Sequence, residues 1–389
     1  MRAPGEVQAQ FAGESHVDMI ARELGADPLE FRLRNALRPG QTGPTNERFR
    51  EVRAVEVLEA LKHTSRPPSS PGRARGRGVA LAVRGIFQAP TSVRLRLEPD
   101  GRVALITGVP EQGSGMHTML RRVAASTLGV EVGCVDLVRG STSEAPFDPG
   151  ASASWVTTIA GQAAARGAAE LKARLEELAS ELRGWPAGQV ELRENAFTVT
   201  STGERAAFLD LAAQIAQSGE VIVEGAFEAP APGGEMDANF AAYLAEVEVD
   251  AETGEVDVRD VVLAMDVGAI VNPIAHQGQL DGSLLFGLGA AVMEELVVAD
   301  GRPLNANLAE YKLPTQMDMP NFTTRLVPTQ VGPGPFGVKA AGEVANSAVA
   351  PAIANAVADA VGARVLELPL TAERVLGALR QNGSLAEGR

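Results

Sequence analysis

The chain has 389 residues, of which 45% are apolar and only 4% aromatic, so its core must be packed mainly from alanine, valine and glycine. Lysine and arginine total 35 against 49 acidic residues, a net charge of −14 that excludes a phosphate-backbone binder and a nucleic-acid partner. The single Cys134 excludes an internal disulfide, an iron–sulfur cluster or a Cys-rich zinc site.

Residues 1–65 read as a helical segment. "ESHVDMIARELG" carries apolar residues at helical spacing up to Gly25, "DPLEFRLRNAL" offers Asp27 as N-cap and Pro28 at the first helical position, and "EVRAVEVLEALKHT" is a third amphipathic stretch. "RPPSSPGRARGRG", residues 66–78, reads as a solvated linker. Strands and helices then alternate over 79–389. "GVALAVRG" and "CVDLVRG" read as strands, the latter burying Cys134, and "SVRLRLEPDGRVALITG" reads as a hairpin turned at Pro99-Asp100-Gly101. "MHTMLRRVAASTLG" and "GQAAARGAAELKARLEELASELRG" read as helices. "YLAEVEVDAETGEVDVRDVVLAMDVG" is a second long hairpin, followed by helices in "QLDGSLLFGLGAAVMEEL", "AVAPAIANAVADAVG" and "TAERVLGAL", the last capped by Thr371. The pattern predicts an α+β fold of long β-hairpins backed by helices. No N-terminal apolar run suggests a signal peptide, and no stretch of about 20 residues reads as a bilayer span, which predicts a cytoplasmic protein without a membrane partner.

Three glycine-rich turns precede helices: "EQGSGMHT", "DPGASASWVTTIAGQAA" and "NPIAHQGQLDGSLLFG". Each reads either as a tight turn or capped helix start, or as exposed N–H donors for an anion; together they suggest a phosphorylated cofactor. In "GVKAAGEVANSAVAPAIANAV" the only charges are Lys339 and Glu343. Three readings stand: an i, i+4 pair on a solvated face, a carboxylate at a helix N-terminus, or a lone general base in an apolar-walled site. Gly342 between the two charges speaks against the first.

The last stretch, with its continuation "ADAVGARVLELPLT", resembles the C-terminal motif of the molybdenum hydroxylase large subunits, the family of xanthine dehydrogenase, aldehyde oxidoreductase and aerobic carbon monoxide dehydrogenase. The similarity continues through "RAPGEVQAQFAGESHVDMIARELGADPLEFRLRN", "GVPEQGSGMHTMLRRVAASTLGV", "APFDPGASASWVTTIAGQAA" and "MDVGAIVNPIAHQGQLDGSLLFGLGAAVMEEL". It implies that residues 79–389 form a second molybdopterin-binding domain with the helical segment leading in from the first. It also implies a molybdenum–molybdopterin cofactor in its cytosine dinucleotide form, with no side chain as metal ligand. The implied activity is oxidative hydroxylation of a heteroaromatic or aldehyde carbon with water, Glu343 being the catalytic base.

Carried over position by position, Arg2 stands beside the metal centre and Gln112, Gly113, Ser114 and Gly115 lie against the pterin. Ser152, Ala153 and Ser154 form the loop closing over the metal, Gln279 contacts the cofactor, and Lys339 supports the loop of the base. Ser114 departs from the glutamine that many members carry there. The sequence also opens on the arginine motif, so the resemblance implies a separate chain carrying the first molybdopterin-binding domain. Iron–sulfur (2Fe-2S) and flavin (FAD) subunits are implied for the electrons. The alternative is a truncated, non-catalytic relative acting as a binding or assembly module. Either way residues 1–65 are expected to expose an apolar face. "RGIFQAPTSV", with Phe87 and no evident charged anchor, falls where the family places part of its substrate pocket.

Overall fold

The computed structural model describes residues 2–64, 70–230 and 233–381. Helices α1 (Glu6–Glu23), α2 (Pro28–Asn35) and α3 (Ala54–Glu59) lead into the long strand β1 (Ala74–Gly85). Strands β2 (Thr91–Leu97) and β3 (Val103–Thr107), helix α4 (Met116–Leu128), strand β4 (Val135–Arg139) and helix α5 (Val156–Arg183) follow. Next come β5 (Val190–Arg193), β6 (Ala196–Val199), β7 (Arg205–Ala207), α6 (Phe208–Ser218) and β8 (Ile222–Phe227). The C-terminal part holds β9 (Ala238–Val249), β10 (Val256–Asp266), α7 (Pro273–Val292), β11 (Val298–Ala299), β12 (Arg302–Pro303), β13 (Asn321–Val327), α8 (Val344–Ser347), α9 (Val349–Val361) and α10 (Ala372–Gln381).

Two four-stranded sheets organise the molecule, in the orders β1-β9-β10-β13 and β4-β3-β2-β8. Both expected hairpins form: β2 pairs antiparallel with β3, and β9 with β10. The first sheet is covered on both faces. Along β9 the residues alternate, with Phe240, Ala242 and Leu244 packing with Val57, Leu58 and Leu61 of the N-terminal segment. Tyr243, Ala245 and Val247 pack instead with Leu284 of α7 and Val349, Ile353 and Val357 of α9. Every residue of β9 is buried, as a central strand between two helical layers requires. The second sheet buries Val93, Leu95, Val103 and Leu105 against α4, α5 and α6.

Three expectations change. Residues 66–69 of the expected linker lie outside the described residues, but from Ala74 onward the stretch is strand β1. Its Arg-Gly alternation is a two-residue period: Arg75 and Arg77 both bond the buried Glu246 of β9, while Gly76 and Gly78 face α9. A Cβ on Gly76 or Gly78 would lie 2.0 or 2.1 Å from the carbonyl oxygens of Ala356 or Ala352, so only glycine lets the helix dock. The apolar residues of the N-terminal segment divide: Val57, Leu58 and Leu61 close on the sheet, whereas Met19 and Ile20 of α1 and Leu24 just after it stay exposed, so the expected apolar face is exposed only in part. Finally, Val344–Val361 is apolar and long enough by composition to cross a membrane, contrary to the reading of the sequence, yet 78% of that window is buried in the protein core. The stretch is two helices, broken at Ala348, because Pro351 has no N–H and its ring opposes the Ser347 carbonyl.

Candidate functional site

The loops that leave β3 and β10, the turn before α5, the N-terminal segment and the turn before α8 meet around one cleft of about 420 Å³. Arg2, Gln112, Gly113, Ser114, Gly115, Ser152, Ala153, Ser154, Gln279, Lys339 and Glu343 all line it. Residues drawn from opposite ends of the chain are thus brought together in one cleft.

Glu343 sits at the start of α8 with its side chain 12% exposed, and it is not a lone carboxylate. Its Oε1 accepts the Ala3 N–H at 3.0 Å and its Oε2 accepts the Ser154 hydroxyl at 2.9 Å. The Arg84 guanidinium, at the end of β1, lies 2.9 Å from Oε2. The expected bare surroundings are therefore replaced by three donors, two of them on strained backbone: Ala3 has φ 51° and Ser154 φ 58°. Gly342 permits this approach, since a Cβ there would stand 3.2 Å from Ser154 Oγ.

Arg2 acts as a staple. Its Nη1 donates to the Gln279 carbonyl at 3.0 Å, Ser283 Oγ at 2.7 Å and the Gly342 carbonyl at 3.2 Å, and its guanidinium packs over Phe286. Burial lowers its pKa while the field of Glu343 opposes that shift.

Lys339 neither pairs with Glu343 nor sends its charge into the cleft. Its Nζ turns into the core, 2.6 Å from Asp266, 3.0 Å from Glu51 and 3.2 Å from the Ala238 carbonyl. Burial pushes the Asp266 carboxyl up to about 6 against the pull of Lys339. The lysine anchors the loop of Glu343 from behind, and only its backbone side faces the cavity.

The glycine-rich turns also differ from expectation. Glu111 fills the helix start of α4 with its own carboxylate, accepting the N–H groups of Gly113, Gly115 and His117 at 2.9, 3.1 and 3.0 Å. Burial opposes its ionisation, but the three donors hold its pKa below the usual carboxylate value. That turn is rigidly shaped, yet those N–H groups do not await an anion. At α7 the Asn272 side chain caps the Ala275 N–H, with Pro273 in the first turn. What the cleft does offer is two buried polar atoms without a partner among the described residues, Ser114 Oγ and His276 Nε2. Burial lowers the His276 pKa, which favours the neutral ring. Buried polar atoms of this kind belong with a ligand rich in hydrogen-bonding groups, so the residues fit a pterin cofactor.

The family model described as molybdopterin cofactor-binding domain matches residues 53–320, and a second model of the same description matches residues 1–36. The chain belongs to this molybdopterin-binding family. It is 30% identical to a probable xanthine dehydrogenase subunit of Bacillus subtilis, over 98% of this chain and 53% of that one. It is 32% identical to the aldehyde oxidoreductase molybdenum-binding subunit PaoC of Escherichia coli O157:H7, over 97% of this chain and 52% of that one. In fold it matches the quinoline 2-oxidoreductase of Pseudomonas putida 86 with a TM-score of 0.86 at 24% identity, covering 97% of this chain and 52% of that structure. The aldehyde oxidoreductase of Desulfovibrio gigas gives 0.82 at 25% identity, covering 98% and 41%. The chain thus spans about half the length of the curated relatives it matches.

Sequence reading missed Arg84, Ala3, Glu111 and His276. Arg84 follows the apolar run 79–83 of β1, a charge that needed a partner. Glu111 stands two residues before a glycine turn, the spacing of a side chain that folds back on following N–H groups. His276 gave no sign beyond its place in the turn.

Proposed function

We propose that this chain supplies one wall of the molybdopterin site of a molybdenum hydroxylase and the general base of its reaction, the oxidative hydroxylation of a heteroaromatic or aldehyde carbon with water. The observation that carries the reading is the Glu343 carboxylate, fixed by three donors in the one cleft that gathers the glycine-rich loops. The oxidoreductase names of the relatives support the reaction class.

The cofactor, taken in its cytosine dinucleotide form, supplies the two-electron redox centre. Gln112 to Gly115, Ser152 to Ser154 and Gln279 hold it, with Ser114 Oγ and His276 Nε2 meeting its polar atoms. Glu343 accepts the proton that water must lose on one of its two oxygens, while the Ala3 N–H and Ser154 hydroxyl keep the carboxylate plane fixed. Arg2 ties the Gly342 loop to α7 and so keeps Glu343 in register with the cofactor-binding turns. The rest of the cleft is closed by the other half of such a molybdopterin-binding subunit, since the chain spans about half the length of its relatives. Cys134 is buried and alone, so 2Fe-2S and FAD subunits carry the electrons onward.

The test is molybdenum and pterin content of the chain purified from its own host with whatever accompanies it. Stoichiometric molybdenum is expected, and Glu343→Gln should lower turnover by about a hundredfold or more while leaving the metal bound. Absence of molybdenum and of any molybdopterin-domain partner would leave the fold without the reaction.

A further inference from the structure

The loop between β3 and α4 is built on two glycines in the left-handed region, Gly113 at φ 83° and Gly115 at φ 78°. Glycine enters that region without strain and leaves it as easily, so a loop of this composition does not keep one shape unaided. Packing does not hold Gly113, where a Cβ would meet nothing within 4 Å. Yet loop 112–115 lines the cleft and carries Ser114 Oγ, one of the two buried cleft atoms without a partner among the described residues.

Glu111 supplies the restraint. Its Oε1 accepts the N–H groups of Gly113 and Gly115, and its Oε2 accepts that of His117, so one carboxylate spans the loop and the first turn of α4. Among the described residues no other side chain accepts an N–H of this loop. The His117 ring ties the same turn back to the Val109 carbonyl at 2.9 Å. Gly115 is wedged against the start of α7, where a Cβ would lie 2.9 Å from that of Ala275 and 3.4 Å from Asn272 Nδ2. Glu111 therefore also sets where Ser114 stands relative to His276, the residue after Ala275, whose Nε2 is the other unpartnered cleft atom. Glu111 itself is exposed and stands outside the cleft lining, so it shapes the wall without touching what binds there. Resting on the reading of the cleft as a molybdopterin site, we propose that Glu111 is a positioning residue whose carboxylate pre-forms loop 112–115 as a rigid seat for the cofactor. A seat already in its bound shape removes the cost of ordering the loop when the cofactor arrives.

Because Glu111 is exposed and contributes nothing to the core, its variants are expected to fold. Two readouts test the proposal. In the full chain made in a host that cannot synthesise the pterin, hydrogen exchange across the loop is followed by mass spectrometry. Glu111→Ala should speed exchange at Gly113, Gly115 and His117 about tenfold or more, with exchange elsewhere unchanged. In the complex as isolated from its own host, the same variant should release molybdenum about tenfold faster on dialysis. Glu111→Gln keeps one carbonyl oxygen for Gly113 and Gly115 and loses only the bond to His117, so it should fall between the parent and Glu111→Ala in both readouts. Gly78→Val, strained at the β1–α9 contact outside the cleft lining, is the control for lost stability and should match the parent in both. Loop exchange as slow in Glu111→Ala as in the parent overturns the proposal. So does faster exchange with molybdenum held as firmly as in the parent, or Gly78→Val releasing the metal as fast as Glu111→Ala. A parent complex without molybdenum would instead remove the cofactor reading, and the seat with it, while a loop held by Glu111 would still show in the exchange.

Discussion

At the scale of single residues, the behaviour of the cleft follows from how its charges are compensated. Lys339 is buried between Glu51 and Asp266, so replacing it by methionine leaves two carboxylates without their cation. Loss of about 3–5 kcal/mol of stability is expected, read by chemical denaturation. Asp266 gives this cluster a pH signature. Its folded pKa, about 6, lies above the ordinary carboxylate value of 3.8. The stability it contributes is therefore fully present below about pH 4 and is lost as pH rises through about 6. Relative to Asp266→Asn, the parent protein should gain stability as pH falls through this window; a difference that does not vary with pH would contradict it. At the cleft itself, Ser154→Ala removes one of the three donors to Glu343 and should lower turnover about tenfold with cofactor content retained, a hydrogen bond to a charged group being worth roughly 1.5–3 kcal/mol.

At the scale of elements, the sequence was legible where period and punctuation agree. The hairpin β9–β10, the caps at Asp27 and Thr371, and helices α4, α5 and α7 follow from alternation, turn residues and helical spacing. Strand β1 was legible only in part. Its first residues, Ala74 to Gly78, are rich in arginine and glycine, a composition that reads as solvated until the buried Glu246 and the docking helix α9 are known. The glycines make that docking testable. Gly78→Val would drive its side chain into the Ala352 carbonyl and should cost about 3 kcal/mol, seen as a lower denaturation midpoint without loss of overall secondary structure. The small sheet β5-β6-β7 carried no comparable pattern, because β5, β6 and β7 are each only three or four residues long, whereas helix α6 was missed despite apolar Phe208, Leu211, Ala212 and Ile215 at helical spacing.

At the scale of the whole molecule, the N-terminal helices belong to the same packed body as the C-terminal strands. Buried Asp18 on α1 pairs with Arg22 and with Arg364 beyond α9, and α1 also carries Glu6 and follows Arg2 and Ala3 into the cleft. Asp18→Ala should therefore destabilise the chain by about 3–5 kcal/mol. Because the same helix delivers Arg2 and Glu6, molybdenum content should fall in parallel with the thermal midpoint. A variant that loses stability yet keeps full metal content would separate the helix from the site.

By itself the sequence determined the α+β class and the main hairpins and helices, because local periodicity is written in neighbouring residues, while its resemblance to the family pointed to residues such as Arg2, Gln279 and Glu343. Only the tertiary structure decided what each charge does. Lys339 and Glu343 are four residues apart in sequence, yet one serves Asp266 and Glu51 in the core and the other is held by Arg84, Ser154 and Ala3 at the cleft. Such pairings are settled by burial. A charge leaving water takes the nearest opposite charge or donor that the packed fold brings to it, and that partner comes from an element far away along the chain.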